Sequence, residues 1–336
     1  MSSSAQPSRT ALIAGFAAIY IIWGSTYLGI RIAVESMPAF LMASARFLVA
    51  GAIVIGFIAL TRGFKATARQ WRDNAIVGGF LCLGGNGLVS WAEETVPSGI
   101  ATLIISAGPV FIVLMDWAVL ACSKDGSRGS KPNALTFAGL GLGFAGLAIL
   151  VGPDVVATGV NGLDPWRVLG LLGATFFWGV GMMIMRYVRD PAEPFTASGI
   201  QMLCGSGWLF LVSLATGELG RFDPSAITGR SLVAWGYLIL FGSLIGFSTF
   251  TWLMKHSTPA KVSTYAYVNP VVAVFLGWTV LDETVSPRIF VAAAIIIAGV
   301  ALITVAKNKK PAANTPRPAT VATVAPTPEA IARKTG

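Results

Sequence analysis

The chain has 336 residues, of which 54% are hydrophobic and 12% charged, and its mean hydropathy is +0.72. A water-soluble domain carries about a quarter charged residues, so this composition excludes a soluble globule and makes lipid the solvent. The net charge of +9 is read as loop residues on the cytoplasmic side of a membrane rather than as a nucleic-acid surface.

A bilayer core takes about 20 apolar residues of helix. Ten segments qualify in chain order: 11–30, 39–60, 74–92, 98–121, 133–151, 166–187, 195–216, 231–253, 259–280 and 288–306. With the N-terminus inside, alternation puts 18 of the 24 basic residues on the cytoplasmic side, so both termini are expected there. Residues 1–10 form a short polar N-terminus, with no cleavage site after the first apolar run. Residues 307–336 are expected to be a disordered cytoplasmic tail, rich in Pro, Ala and Thr over 311–336.

Two of these segments repeat each other. FAAIYIIWGSTYLGIR (16–31) and LLGATFFWGVGMMIMR (171–186) align at an offset of 155, Trp23 on Trp178 and Arg31 on Arg186. The same offset places Arg46 on Gln201. Later the offset becomes 161, with Trp91 on Trp252, Pro109 on Pro270 and Trp117 on Trp278. An insertion around Glu218–Arg230 accounts for the change. The chain therefore reads as two copies of one unit, 11–151 and 166–306. Five spans per copy is odd, so the second copy enters from the opposite side. The fold class expected is an all-α integral membrane protein of ten helices in two inverted five-helix repeats, the architecture of many secondary transporters.

Several residues stand out at membrane depth. Pro109 and Pro270 each remove a helical hydrogen bond and are matched between repeats, as hinges, cavity lining or simple packing kinks. Tyr20, Trp23 and Tyr27 share one face of the first span, and Tyr265 and Asn269 one face of the ninth. Asn86 and Asn269 are buried amides that need partners, as helix glue or as solute contacts. Arg46 is an intramembrane charge that either pairs with Glu93 or holds a substrate carboxylate. Asp116 is either a proton site or an anchor for the basic cytoplasmic loop.

Other patterns exclude chemistry. GLGFAG (141–146) matches a dinucleotide fingerprint but lies inside an apolar span, where Gly139 and Gly143 form a face for close helix packing. No Walker A sequence occurs, and Cys82, Cys122, Cys204 and the lone His256 form no metal spacing. Neither a cofactor nor a metal is expected, nor is enzymatic activity.

Four stretches in order, IIWGSTYLGIRIAVESMP, ASARFLVAG, VPSGIATLI and YAYVNPVVAVFLG, resemble the EamA-like branch of the drug/metabolite transporter superfamily, over about residues 11–306. The resemblance implies a central cavity and export of amino acids or metabolites across a bacterial inner membrane. The second repeat carries Leu281-Asp282-Glu283 where the first has Ala121-Cys122-Ser123, so any role of that acid is confined to one half. The expected function is export of amino acids with aromatic or apolar side chains by alternating access. Trp23, Tyr27, Trp178 and Tyr265 would supply apolar surface, and Asn86, Gln201 and Asn269 would orient polar ends. The alternative is a drug, purine or nucleotide-sugar exporter on the same fold. The partners expected are the solute and the bilayer, with proton coupling open and the chain a monomer or weak dimer.

Overall fold

The computed structural model describes residues 7–96, 98–123, 129, 131–158, 164–188, 191–272 and 287–306. The expected tail 307–336, Trp278 and Leu281–Glu283 lie outside the described residues.

Every described element is helical. In chain order they are α1 (Arg9–Ala33), α2 (Ala39–Thr61), α3 (Ala68–Glu93), α4 (Ser98–Ile105), α5 (Gly108–Cys122), α6 (Ala134–Thr158), α7 (Pro165–Tyr187) and α8 (Pro194–Ala215). They continue as α9 (Glu218–Arg221), α10 (Gly229–His256), α11 (Pro259–Val262), α12 (265–272) and α13 (Pro287–Ala306). Six of these, α1, α2, α3, α7, α8 and α10, are long and apolar enough to cross a membrane. Their outward faces carry large apolar side chains, such as Leu60 at 90% exposed and Val233 at 74%, as lipid rather than water would require.

Local chemistry sets the helix starts. Thr67 and Gln70 form a reciprocal capping box on α3. The Asp164 side chain accepts from Trp166 N, with Pro165 in the first turn of α7. Glu193 does the same for Phe195 N and Thr196 N on α8. The N-terminus of α2 has no cap of its own, because Pro38 precedes it. Its free amides are satisfied from far away: buried Glu218 on α9 accepts from Phe40 N at 3.1 Å and Leu41 N at 2.8 Å. The insertion that shifts the repeat offset thus closes a helix end in the first repeat.

Packing pairs the two copies. α2 lies on α8 and α6 on α13, while α3 meets α7 and α10 meets α1. The α6–α13 contact is close because its residues are small. A β-carbon at Gly139 would lie 2.7 Å from Gly299 O, and one at Gly299 would lie 2.8 Å from Gly143 N. α3 and α10 each change to π-helix at matched places, Gly79–Gly87 and Leu238–Phe247, a geometry often found at functional sites.

The two prolines differ from each other, and only Pro109 stands at a helix start. The chain breaks at 106–107, and Pro109 sits in the first turn of α5, where its missing N–H costs nothing. Pro270 lies within α12 and leaves the carbonyl of Ala266 without its usual helical donor. Ser106 Oγ, at the break in the other repeat, lies 3.1 Å from Ala266 O and 2.6 Å from Thr102 O, with one proton to share between them. Ser106→Ala is expected to destabilise the protein by about 1–3 kcal/mol, read as a lower thermal midpoint in detergent, with Ser106→Thr closer to wild type.

Candidate solute site

The site grows from the pairing of the repeats. α1 brings Trp23 and α7 brings Trp178, and the two indoles meet nearly edge-to-face, centroids 5.5 Å apart at 84°. Each needs a glycine in the π-helical stretch of the opposite repeat. Trp23 Nε1 would lie 2.7 Å from a β-carbon on Gly246, and Trp178 covers Gly85 so closely that a β-carbon there would overlap its ring. Gly85 and Gly246 are themselves 161 residues apart. Trp23 also donates to Gly242 O at 3.3 Å.

Tyr265 joins Trp23 at 4.7 Å, and Phe250 touches both indoles at 5.1 and 5.3 Å. Phe247 is 6.5 Å from Trp178. These rings form a continuous aromatic floor. Above it, toward Ile30 and Val89, lies a cavity of about 80 Å³. Its wall includes Tyr27, Asn86, Pro109 and Asn269, with Arg46 to one side. Gly24 lets α1 approach α12 closely enough for this, since a β-carbon there would lie 2.6 Å from Val272.

Two polar residues of this wall lack a full set of partners. Arg46 is 2% exposed and Asn269 1% exposed. Arg46 Nε donates to Ser243 Oγ at 2.7 Å, while its Nη1 has no hydrogen-bond partner. Asn269 faces the Tyr27 hydroxyl, and neither its Nδ2 nor its Oδ1 makes a well-formed hydrogen bond. Buried polar groups are normally satisfied, so donors and an acceptor stand ready at the edge of an aromatic cavity.

The structure thus gathers Trp23, Tyr27, Asn86, Trp178, Tyr265, Asn269, Pro109 and Arg46 around one space. Tyr20 is not among them: its hydroxyl bonds Thr264 Oγ1 at 2.6 Å. Gln201 lines a separate recess of about 220 Å³ with Arg186 and Lys255, and donates to Asn74 Oδ1 at 2.7 Å. Pro270 is buried away from the cavity. The expected Arg46–Glu93 pair does not form. Arg46 turns to Ser243 on α10, and both Glu93 oxygens are without hydrogen-bond partners. Asp116 accepts from the Tyr187 hydroxyl at 2.6 Å, tying the middle of α5 to the end of α7. His256 ends α10 with Nδ1 2.8 Å from Trp252 O, and no metal-binding group occurs among the described residues.

Ser243, Gly85 and Gly246 escaped the sequence reading. The two glycines carried a signal in the 161-residue offset, whereas Ser243 is 197 residues from Arg46 and carried none.

Comparison with known proteins gives this arrangement its class. The EamA-like transporter family matches residues 10–152 and again 165–305, which are the two repeats. This chain belongs to that family. An inner membrane transporter of Escherichia coli K12, YedA, described as uncharacterized, is 35% identical over 297 residues, 88% of this chain and 91% of that one. A probable terminal-alkyne amino-acid exporter of Streptantibioticus cattleyicolor is 24% identical over 291 residues, 84% of this chain and 90% of that one. A crystal structure aligns with TM-score 0.68 at 23% identity, covering 88% of this chain and 99% of that chain, a likeness of fold alone.

Proposed function

We propose that this protein is a secondary exporter of amino acids with aromatic or apolar side chains, working by alternating access in a bacterial inner membrane. The carrying observation is the unpaired Arg46 Nη1, with the weakly held Asn269 amide beside Tyr27, at the wall of an aromatic cavity. An aromatic surface with a few convergent polar groups suits a small solute that is part apolar and part charged. Arg46 would take the α-carboxylate in a charge-assisted bond, Asn269 and Asn86 the amine, and the Trp23, Trp178 and Tyr265 rings the side chain.

The remaining architecture in this reading is ten spans, the shorter apolar helices completing the six long ones, in two inverted repeats with both termini cytoplasmic. The reciprocal pairing of α3 with α7 and of α10 with α1 supports it. So does the exchange of tryptophans onto the opposite repeat's glycines. Ligand sites typically occupy about 300–1,000 Å³, so a cavity of about 80 Å³ has to widen on loading. Helix breaks such as 106–107 are the natural place for that movement. The amino-acid exporter among the relatives is in keeping with this substrate class.

Trp23→Ala and Asn269→Ala are each expected to lower amino-acid counterflow in liposomes by about tenfold or more, a loss of 1.4 kcal/mol or more, with normal membrane insertion. Normal counterflow by both variants would remove these residues from the site.

A further inference from the structure

We infer that Glu93 is a proton-binding site whose loading accompanies closure of the transporter. This rests on the transport reading above. Glu93 is 0% exposed, and neither of its carboxylate oxygens has a hydrogen-bond partner. It lies one helical turn beyond Val89 on α3, and Val89 lines the solute cavity. Tyr27, another cavity residue, faces it from α1.

The hydrogen bonds of the charges around it are made elsewhere. From α1, Arg31 Nη1 donates to the backbone carbonyls of Glu93 and Glu94 at 2.5 and 2.7 Å. From α7, Arg167 donates to Trp91 O and pairs with Glu94 Oε2 at 2.7 Å. From α2, Arg46 bonds Ser243. α4 brings no titratable side chain. The two arginines therefore close the C-terminal carbonyls of α3; Arg31 stands near enough for its charge to act on the Glu93 carboxyl, but neither arginine hydrogen-bonds it. An ionised carboxylate without water or donors is far more costly to bury than the neutral acid.

The step is a simple transfer. When the Glu93 side of the cavity is open, the carboxylate takes a proton from hydronium, giving the carboxylic acid and water. The acid is buried as the helices close. On reopening, water regains access and the proton leaves as hydronium. A closed state that requires the acid becomes less populated as pH rises. Since every transport cycle passes through it, turnover falls with it.

The test compares wild type and Glu93→Gln in liposomes, with radiolabelled phenylalanine and leucine as probes and equal pH on both sides. Wild-type counterflow is expected to fall by about fivefold or more between mildly acidic and alkaline pH, and the E93Q profile to be flat, because the amide is neutral throughout. A flat wild-type profile, or an unchanged slope in E93Q, would overturn the inference. Infrared spectra of the purified protein supply a readout independent of flux. The carbonyl stretch of a protonated carboxylic acid should be present in wild type at neutral pH, move in Glu93→Asp, and be lost in E93Q. Absence of that band in wild type would overturn the proton site even if transport is intact. Its presence with no counterflow of either probe would keep the site and reject the substrate reading.

Discussion

Replacing Arg46 by methionine is expected to lower amino-acid flux by about 10- to 100-fold, the worth of one charged hydrogen bond of about 1.5–3 kcal/mol, without loss of thermal stability. The two halves of that result separate binding from structure. Arg46 is buried with one hydrogen bond, to Ser243, and no ion pair among the described residues. Removing a buried charge that lacks a counter-ion relieves a desolvation cost, and replacements by apolar residues of similar size are often neutral or stabilising. A purely structural arginine would give the reverse pattern, with stability falling and flux falling only in step with folded protein. Arg46→Lys should recover little, because Nε is held by Ser243 while Nη1 is left for the solute, and a lysine has one nitrogen. Flux assays and thermal melts on the same preparations decide between these outcomes.

Gly85→Val is expected to abolish transport, with a larger effect than any single substitution of the aromatic residues. A side chain at Gly85 enters the volume of the Trp178 ring. Trp178 in turn rests on Trp23 and Phe250, so the floor of the cavity cannot yield locally. Overpacking of this kind typically costs about 1–3 kcal/mol in stability, but the displaced ring would also fill the solute space. Gly246→Val should act in the same way through Trp23. Gly207→Ala, where a β-carbon meets nothing within 4 Å, serves as the control and should transport normally. Equal flux for Gly85→Val and this control would show that Trp178 does not form the floor.

The sequence carried more of the fold than of the site. Two repeats in an apolar chain were readable because Trp23 and Trp178 align at an offset of 155 and Pro109 and Pro270 at 161, with one insertion between. Lipid-facing helices advertise themselves through composition alone. The GxxxG face at Gly139 and Gly143 was also legible, since only small residues permit the approach of α13. Site residues are harder because matched residues need not do matched work. Gln201 aligns with Arg46, yet it lines the recess beside Arg186 and Lys255 while Arg46 lines the central cavity. Tyr20 shares a helix face with Trp23 and Tyr27 but is held by Thr264. The Arg46–Glu93 pair was reasonable from charge alone. It fails because Ser243 meets Arg46 and because Arg31 and Arg167 are drawn to the open carbonyls of α3. Those choices depend on long-range packing, which no local spacing records. Glu218 shows the same limit, since an apparent loop insertion closes the amide end of α2 nearly 180 residues earlier.

The central claim is that the space between Trp23, Trp178, Arg46 and Asn269 carries amino acids, and counterflow in liposomes tests it most directly. Vesicles of the purified protein would be preloaded with one unlabelled solute and exposed to a trace of the same solute labelled, across amino acids, nucleosides and sugars. The account predicts transient accumulation of amino acids with aromatic or apolar side chains, reduced about tenfold or more in Arg46→Met. Accumulation of sugars or nucleosides with none of any amino acid, or amino-acid counterflow unchanged in Arg46→Met, would contradict it.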